Sequence, residues 1–418
     1  MTLTVMPKYD AYKDSGVEWL GEIPVDWNIK PGLVAFSENK RSNKGMKQDV
    51  VLSLSYGKII IKPADKLVGL VPESFETYQI VAPDDIIIRC TDLQNDQTSL
   101  RTGLANDHGI ITSAYLNLKV KGLYSARYLH YYLHALDTTK VIYRFGSGLR
   151  QNLSYLDFKR LPVFDISWET QAAIANFLDT KTAQIDEAIA IKEQQIALLN
   201  ERKQILIQQA VTQGLDPTVP MKDSGVEWIG KIPEHWKLMS LRYAFDFLNN
   251  RRIPLSAPER EKRQGEYPYY GASGIIDYVD DYIYDEDLIL IAEDGANLLS
   301  KSTPLAFVAT GKYWVNNHAH IIKPKFKGFK YWAELLSGLD YTTYISGAAQ
   351  PKLTRENLGS VTLTVPPHNE IEEITSYIVN IEPAINRAVD LLKDQINKLK
   401  EYKTTLINSA VTGRIKVV

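Results

Sequence analysis

"WETQAAIANFLDTKTAQIDEAIAIKEQQIALLNERKQILIQQAVTQGL", residues 168 to 215, contains no proline and no glycine before Gly214. Strong helix formers fill it, which predicts one long helix. Its apolar residues Ile174, Leu178, Ile185, Ile189, Ile196, Leu199, Leu206 and Ala210 recur at spacings of three, four and seven. That spacing lays them on one narrow stripe, and such a stripe requires a partner helix. The chain supplies one. Residues 369 to 412, "NEIEEITSYIVNIEPAINRAVDLLKDQINKLKEYKTTLINSAVT", put Ile374, Ile378, Ile385, Val389, Ile396, Leu399, Leu406 and Ala410 each 200 positions further on. The endings "ERKQILIQQAVT" and "EYKTTLINSAVT" match as well, and Pro383 predicts a kink or a late first turn in the second helix.

The repeat extends beyond the helices. "KDSGVEWLGEIPVDW" (13 to 27) returns as "KDSGVEWIGKIPEHW" (222 to 236), 209 positions away with eleven identities. Head phrases repeating at 209 and helices at 200 make the second globule nine residues shorter than the first. The order is globule, helix, globule, helix. Short β-type runs broken by Gly, Pro and Asn/Asp clusters, such as "DVVLSLSYGKIIIK", mark the globules as mixed α/β.

The expected fold class is therefore α+β, with two mixed α/β globules separated by two long helices packed as an antiparallel coiled coil with pseudo-two-fold symmetry. The segments are 1–167, 168–213, 214–367 and 368–418. Connectivity demands the antiparallel sense, because the second helix leaves the second globule and must lay its stripe on the first. A helix of some 45 residues rises about 65 Å, so the expected molecule is a closed dumbbell. The repeated phrase predicts a seat for each globule on a helix end, with Trp19, Trp27, Trp228 and Trp236 as buried anchors and Pro24 and Pro233 fixing the turn.

Composition narrows the function. At 418 residues, with 44% apolar and 23% charged residues, the chain can build more than one core. One cysteine, Cys90, allows no internal disulfide, and the N-terminus lacks a signal-peptide layout; a cytoplasmic protein without a membrane span is expected. Nucleotide-cradling, dinucleotide and H-E-x-x-H motifs are all missing. No metal site is expected at His318 and His320. The acidic run 277–295 reads as solvated edge charges. No catalytic residue and no metal site is expected; the chain reads as a recognition or scaffold protein.

A net charge of −2 means that any nucleic-acid contact must come from local patches. Arg and Asn/Gln on loops suit phosphates and base edges. In the second globule the candidates are Arg251, Arg252, Arg260, Lys262 and Arg263, followed by Asn297, Lys301, Asn316, Asn317, His318, Gln350 and Lys352. In the first globule they are Lys40, Arg41, Lys44, Lys47, Arg89, Gln94, Asn95, Gln97, Arg101, Arg150 and Gln151. One short element recurs inside the otherwise divergent globules, Ser-Gly-x-x-Gln at Ser147 to Gln151 and at Ser346 to Gln350. Seats and helices match while the globules hardly do. That contrast suits a scaffold that binds one kind of partner twice and two different ligands once each.

"GVEWLGEIPVDW", "LRQNLSYLDFKRLPV" before a helix, and the terminal "AVTGRI" resemble the specificity subunit of bacterial type I restriction-modification enzymes. The resemblance covers essentially the whole chain and occurs in both halves. It implies two target-recognition domains, each reading half of a split double-stranded DNA sequence. It also implies spacer helices that bind two modification subunits, to which restriction subunits can add. Adenine methylation with S-adenosylmethionine, and ATP and Mg chemistry, would then belong to those partners, leaving this chain non-catalytic and without a cofactor. The alternative from composition alone is a coiled-coil scaffold with two protein- or glycan-binding heads.

Overall fold

The computed structural model describes residues 6–63, 74–93, 95–96, 98, 100–145, 152–226, 229–294, 297–347 and 351–417. The chain forms two compact units, Met1–Lys192 with Asp394–Val418, and Glu193–Lys393. Each unit thus holds one globule and part of both long helices.

The first long helix is Trp168–Gln213 and the second His368–Val411. Pro383 lies inside the second without ending it, so the expected kink is not a break. In unit 1 the helices run antiparallel, since Lys192 donates to Gln395 and Lys403 pairs with Asp186. In unit 2 Lys203 donates to Asn386, while Gly214 lies beside Glu370. Every residue of the expected stripe is withdrawn from solvent, from Ile174, Leu178 and Leu406 at 0–1% exposure to the half-buried Ile196, Leu199, Leu206, Ile385 and Leu399. Ile185, Ile189, Ile374, Ile378, Val389 and Ile396 are buried. Ile191, Leu198 and Ile205, also seven apart, are 49%, 63% and 49% exposed.

The globules share one plan. In unit 1 a four-stranded antiparallel sheet runs in the order Phe36–Glu38, Leu116–Val120, Asp85–Ile88, Thr102–Leu104. In unit 2 the order is Phe245–Phe247, Ala319–Pro324, Leu288–Ala292, Ala306–Ala309. Runs such as "DIII" and "LILIA" are buried throughout, the mark of central strands covered on both faces. Unit 2 adds a second sheet, Gly274–Val279, Gln264–Gly271, Lys312–Val315 and Tyr284–Asp285. At each neck a two-stranded ladder closes the globule: Asn28–Pro31 with Pro162–Asp165, and Lys237–Ser240 with Thr362–Val365.

The repeated phrase is the seat of a helix end. Trp27 is 3% exposed and Trp236 1%, whereas Trp19 is only half-buried and Trp228 lies outside the described residues. Tyr128 donates its hydroxyl to the carbonyl of Val411, and Tyr331 donates to that of Val211. Just past each helix end stands a glycine in the left-handed region, Gly413 at φ 74° and Gly214 at φ 81°, where a side chain is strained. A Cβ on Gly413 would stand 2.6 Å from Pro24 and 3.1 Å from Trp27; on Gly214 it would meet Trp236 at 3.4 Å. Gly413→Ala is therefore expected to destabilise its unit by about 2–3 kcal/mol and Gly214→Ala by about 1 kcal/mol, read as unequal losses in denaturant unfolding.

Candidate nucleic-acid interface

The basic loop of unit 2 is answered from within the same unit. Arg251 donates to Glu286 at 2.9 Å and lies 4.7 Å above Tyr284. Arg260 pairs with Asp277, and Arg263 with Asp280 while covering Trp314. Arg252, its side chain 16% exposed, donates to Glu293 at 2.6 Å and to the carbonyls of Asn249, Asn317 and Ala319. The acidic run is thus the counter-charge of these arginines and not a row of solvated edge carboxylates. Lys262 makes none of these pairs and stays exposed.

Several sequence candidates converge at one end of the unit 2 sheet. Glu293 follows the strand Leu288–Ala292 and accepts from Arg252, with the Lys352 ammonium at 3.4 Å and His320 at 3.6 Å. Burial opposes ionisation of Glu293, but the bond from Arg252 and the surrounding positive charge outweigh it and hold its pKa below the ordinary value. His320, 1% exposed, donates through Nε2 to Leu353 O at 2.6 Å and receives Asn249 Nδ2 on Nδ1 at 2.8 Å. Burial lowers its pKa and favours this neutral form. His318 sits on Asp294 at 2.9 Å, and Asn316 is tied to the backbone of His318. What this leaves toward solvent is Asn317, His318 and Lys352. Asn297 and Lys301 are occupied locally, the first by Ser302 and Thr303, the second by Leu339 O. Gln350 lies outside the described residues.

In unit 1 the same backbone bond marks the corresponding sheet end: Leu153 N donates to Cys90 O at 2.9 Å as Leu353 N donates to Glu293 O at 2.8 Å. A neutral thiol, its pKa pushed up to about 12 by burial, stands where unit 2 has a carboxylate. Arg101, expected at the surface, is 0% exposed. Its guanidinium donates to the carbonyls of Arg89, Thr91, Asp92 and Asp96, so it builds the 89–96 loop and is removed from the contact set. Arg89 pairs with Asp96, and Asn95 donates to Asp92. Gln94, Gln97, Arg150 and Gln151 lie outside the described residues, as do the whole of the first Ser-Gly-x-x-Gln element and the last three residues of the second. Lys40 pairs with Glu38 and Arg41 with Asp85; Lys44 and Lys47 are exposed.

Sequence reasoning missed Glu293, Asp294, His320 and Asn249 in unit 2, and Asn39, Gln79, Asp85 and Asn117 in unit 1. The one available signal was the opposite sign of two neighbouring runs, basic at 251–263 and acidic at 277–294. Among the described residues no group of three His, Cys, Asp or Glu could hold a metal ion, and no helix is long and apolar enough to cross a membrane.

Residues 233–401 match the family described as Type I restriction modification DNA specificity domain. A putative type I restriction enzyme specificity subunit, S.HindORF215P of Haemophilus influenzae, is 32% identical over 134 residues, 32% of this chain and 34% of that protein. The match therefore spans about a third of the relative's length. A chain from a solved structure on complex assembly and conformational transition of the type I R-M system aligns at TM-score 0.66, with 13% identity, over 93% of this chain and 98% of that one. The HsdS subunit from Thermoanaerobacter tengcongensis, 15% identical over 94% of this chain and 98% of that one, aligns at TM-score 0.49.

Proposed function

We propose, for a chain that belongs to the family of type I restriction-modification DNA specificity subunits, that each unit reads one half of a split duplex target and that the long helices carry two methyltransferase subunits. The observation that carries this reading is the pairing of a common frame with unlike surfaces. Both sheets have one strand order and both globules one seat, yet Cys90 answers Glu293 and the exposed Asn317, His318 and Lys352 have no like counterpart among the described residues of unit 1. Phosphate contacts fix register, and base contacts from such sheet-end side chains specify sequence. The exposed seven-residue row Ile191, Leu198 and Ile205 supports the carrying role, because a second apolar row on a paired helix suits further helices. S-adenosylmethionine, ATP and Mg would be held by those partners and by the restriction subunits that join them.

Mapping methylated adenines in DNA from cells that express the chain with its modification partner tests the reading. The expected motif has two short specified halves separated by unspecified bases, with half-site centres about one helical turn apart. An undivided motif, or methylation without a motif, would overturn it. His318→Ala combined with Lys352→Gln is expected to relax bases in one half only, by about tenfold in discrimination at each affected base. The same map reads this out.

A further inference from the structure

The two sheets share a register and differ in what it buries. Ile86 faces Leu118 as Ile289 faces Ile322. One residue along, Asp85 corresponds to Leu288 and Asn117 to Ile321; Asn39 corresponds to Leu248, since each donates its N–H to the carbonyl of that neighbour. Leu288 and Ile321 are wholly buried in an apolar cluster that Leu248 packs against. Their counterparts are buried too, Asp85 at 3%, Asn117 at 1% and Asn39 at 9% exposure. Asp85 Oδ2 gathers donors from Ala82 N, Asn39 Nδ2, Arg41 Nη2 and Asn117 Nδ2. Apolar residues of similar size in such a place are commonly at least as stabilising as a buried polar network. Unit 2 does without these groups, so the frame does not require them.

A second observation shows where they act. Asn117 Oδ1 is buried and has no hydrogen-bond partner among the described residues, and Asn117 lines an open cleft. A buried acceptor left unmade is unfavourable until something donates to it. Gln79, on the same cleft, gives both N–H groups to Thr112 O and Tyr115 O, which leaves its amide oxygen to accept. Tyr78 and Tyr115 supply rings to the lining, and Lys40 and Arg41, their side chains 76% and 45% exposed, stand there in pairs with Glu38 and Asp85 that an incoming phosphate would have to share.

We propose that this cleft is the base-reading pocket of unit 1, accepting the exocyclic amino group of an adenine or cytosine on the carboxamides of Asn117 and Gln79 while Lys40 and Arg41 hold a neighbouring phosphate. The inference rests on the DNA-reading function proposed above. It assigns the first half-site to a buried amide network and not to a basic loop.

The test copies unit 2 into unit 1. Asn39→Leu, Asp85→Leu and Asn117→Ile are made together in the full chain, co-expressed with its modification partner, and methylated adenines are mapped. At least one base of one half-motif is expected to lose about tenfold or more of its discrimination, with the other half unchanged. A folded triple variant with an unaltered motif overturns the proposal while leaving DNA reading in place. A parent chain with no two-part motif overturns both. Should the triple variant fail to fold, the exposed change Lys40→Gln decides: a lower extent of methylation with the motif kept supports the pocket, and no change at any site overturns it.

Discussion

Lowering the pH from about 6.5 to about 4 is expected to weaken unit 1 steeply. His130 and His134 share a face of the helix Ala126–Thr138, their rings 6.2 Å apart. Burial is the larger cause that pushes each down to about 4; His134 adds to it at His130, and Lys403 adds to it at His134. The unfolded chain takes up protons near 6.5 while the folded unit refuses them until about 4. Stability is therefore whole above 6.5 and falls as acid is added, by up to about 1.4 kcal/mol per pH unit for each histidine. Below about 4 both states are protonated and the decline levels off. His130 Nε2 has no hydrogen-bond partner among the described residues, so nothing there compensates a second proton. Denaturant unfolding between pH 7 and 4 checks this, and His130→Leu with His134→Gln should flatten the profile. An equally steep profile in that double variant would contradict the assignment.

Arg101→Met is the second large effect, an expected loss of about 3 kcal/mol in unit 1. The methionine keeps most of the buried stem but removes the guanidinium from four carbonyls; those of Arg89 and Thr91 lose a buried donor, while Asp92 O keeps Asp96 N and Asp96 O keeps the Tyr143 hydroxyl. It also abolishes the bond from Nε to the Tyr143 hydroxyl at 3.0 Å. A buried acceptor stripped of its donor costs roughly 1–3 kcal/mol, and rehydration of the exposed part of the loop keeps the sum at the lower end. Leu305 fills the corresponding place in unit 2, so an apolar side chain there is compatible with the sheet. The loss should be visible in urea unfolding and in faster proteolysis within residues 89–96. Because Arg101 touches no phosphate in this assignment, the salt slope of DNA binding should not change. A loss below about 1 kcal/mol, or a slope reduced by one contact, would restore Arg101 to the surface set.

How far the sequence could be read follows from the range of the forces involved. The helices were legible because a stripe at spacings of three, four and seven is a local pattern. Trp168 and His368 begin them where the formers begin, and the residues that the spacing selects are buried or half-buried, although Ile207, Val211, Ile407 and Val411, which it does not select, are buried as well. The seat was legible at Trp27 and Trp236 because its phrase repeats. The interface was not. Arg252 meets Glu293 across 41 residues and Arg41 meets Asp85 across 44, so a charge that looks available along the chain is already matched in space. Asn117 could not be singled out at all, since an isolated "LNL" in a strand gives no hint that its amide will be buried. The correspondence with Ile321 became visible only through strand register.

The neck ladders carry a consequence for how such a chain can change. Pro31 faces Pro162 and Asn28 faces Asp165; Ser240 faces Thr362 and Lys237 faces Val365. Paired strands lie about 4.8 Å apart, so everything between entry and exit returns to nearly the point it left. A cassette transplanted between those strands, of whatever length or base preference, would reach the helices through the same doorway. If the globules read DNA as proposed, new targets could arise by exchange of whole inserts, with no residue of the coil altered.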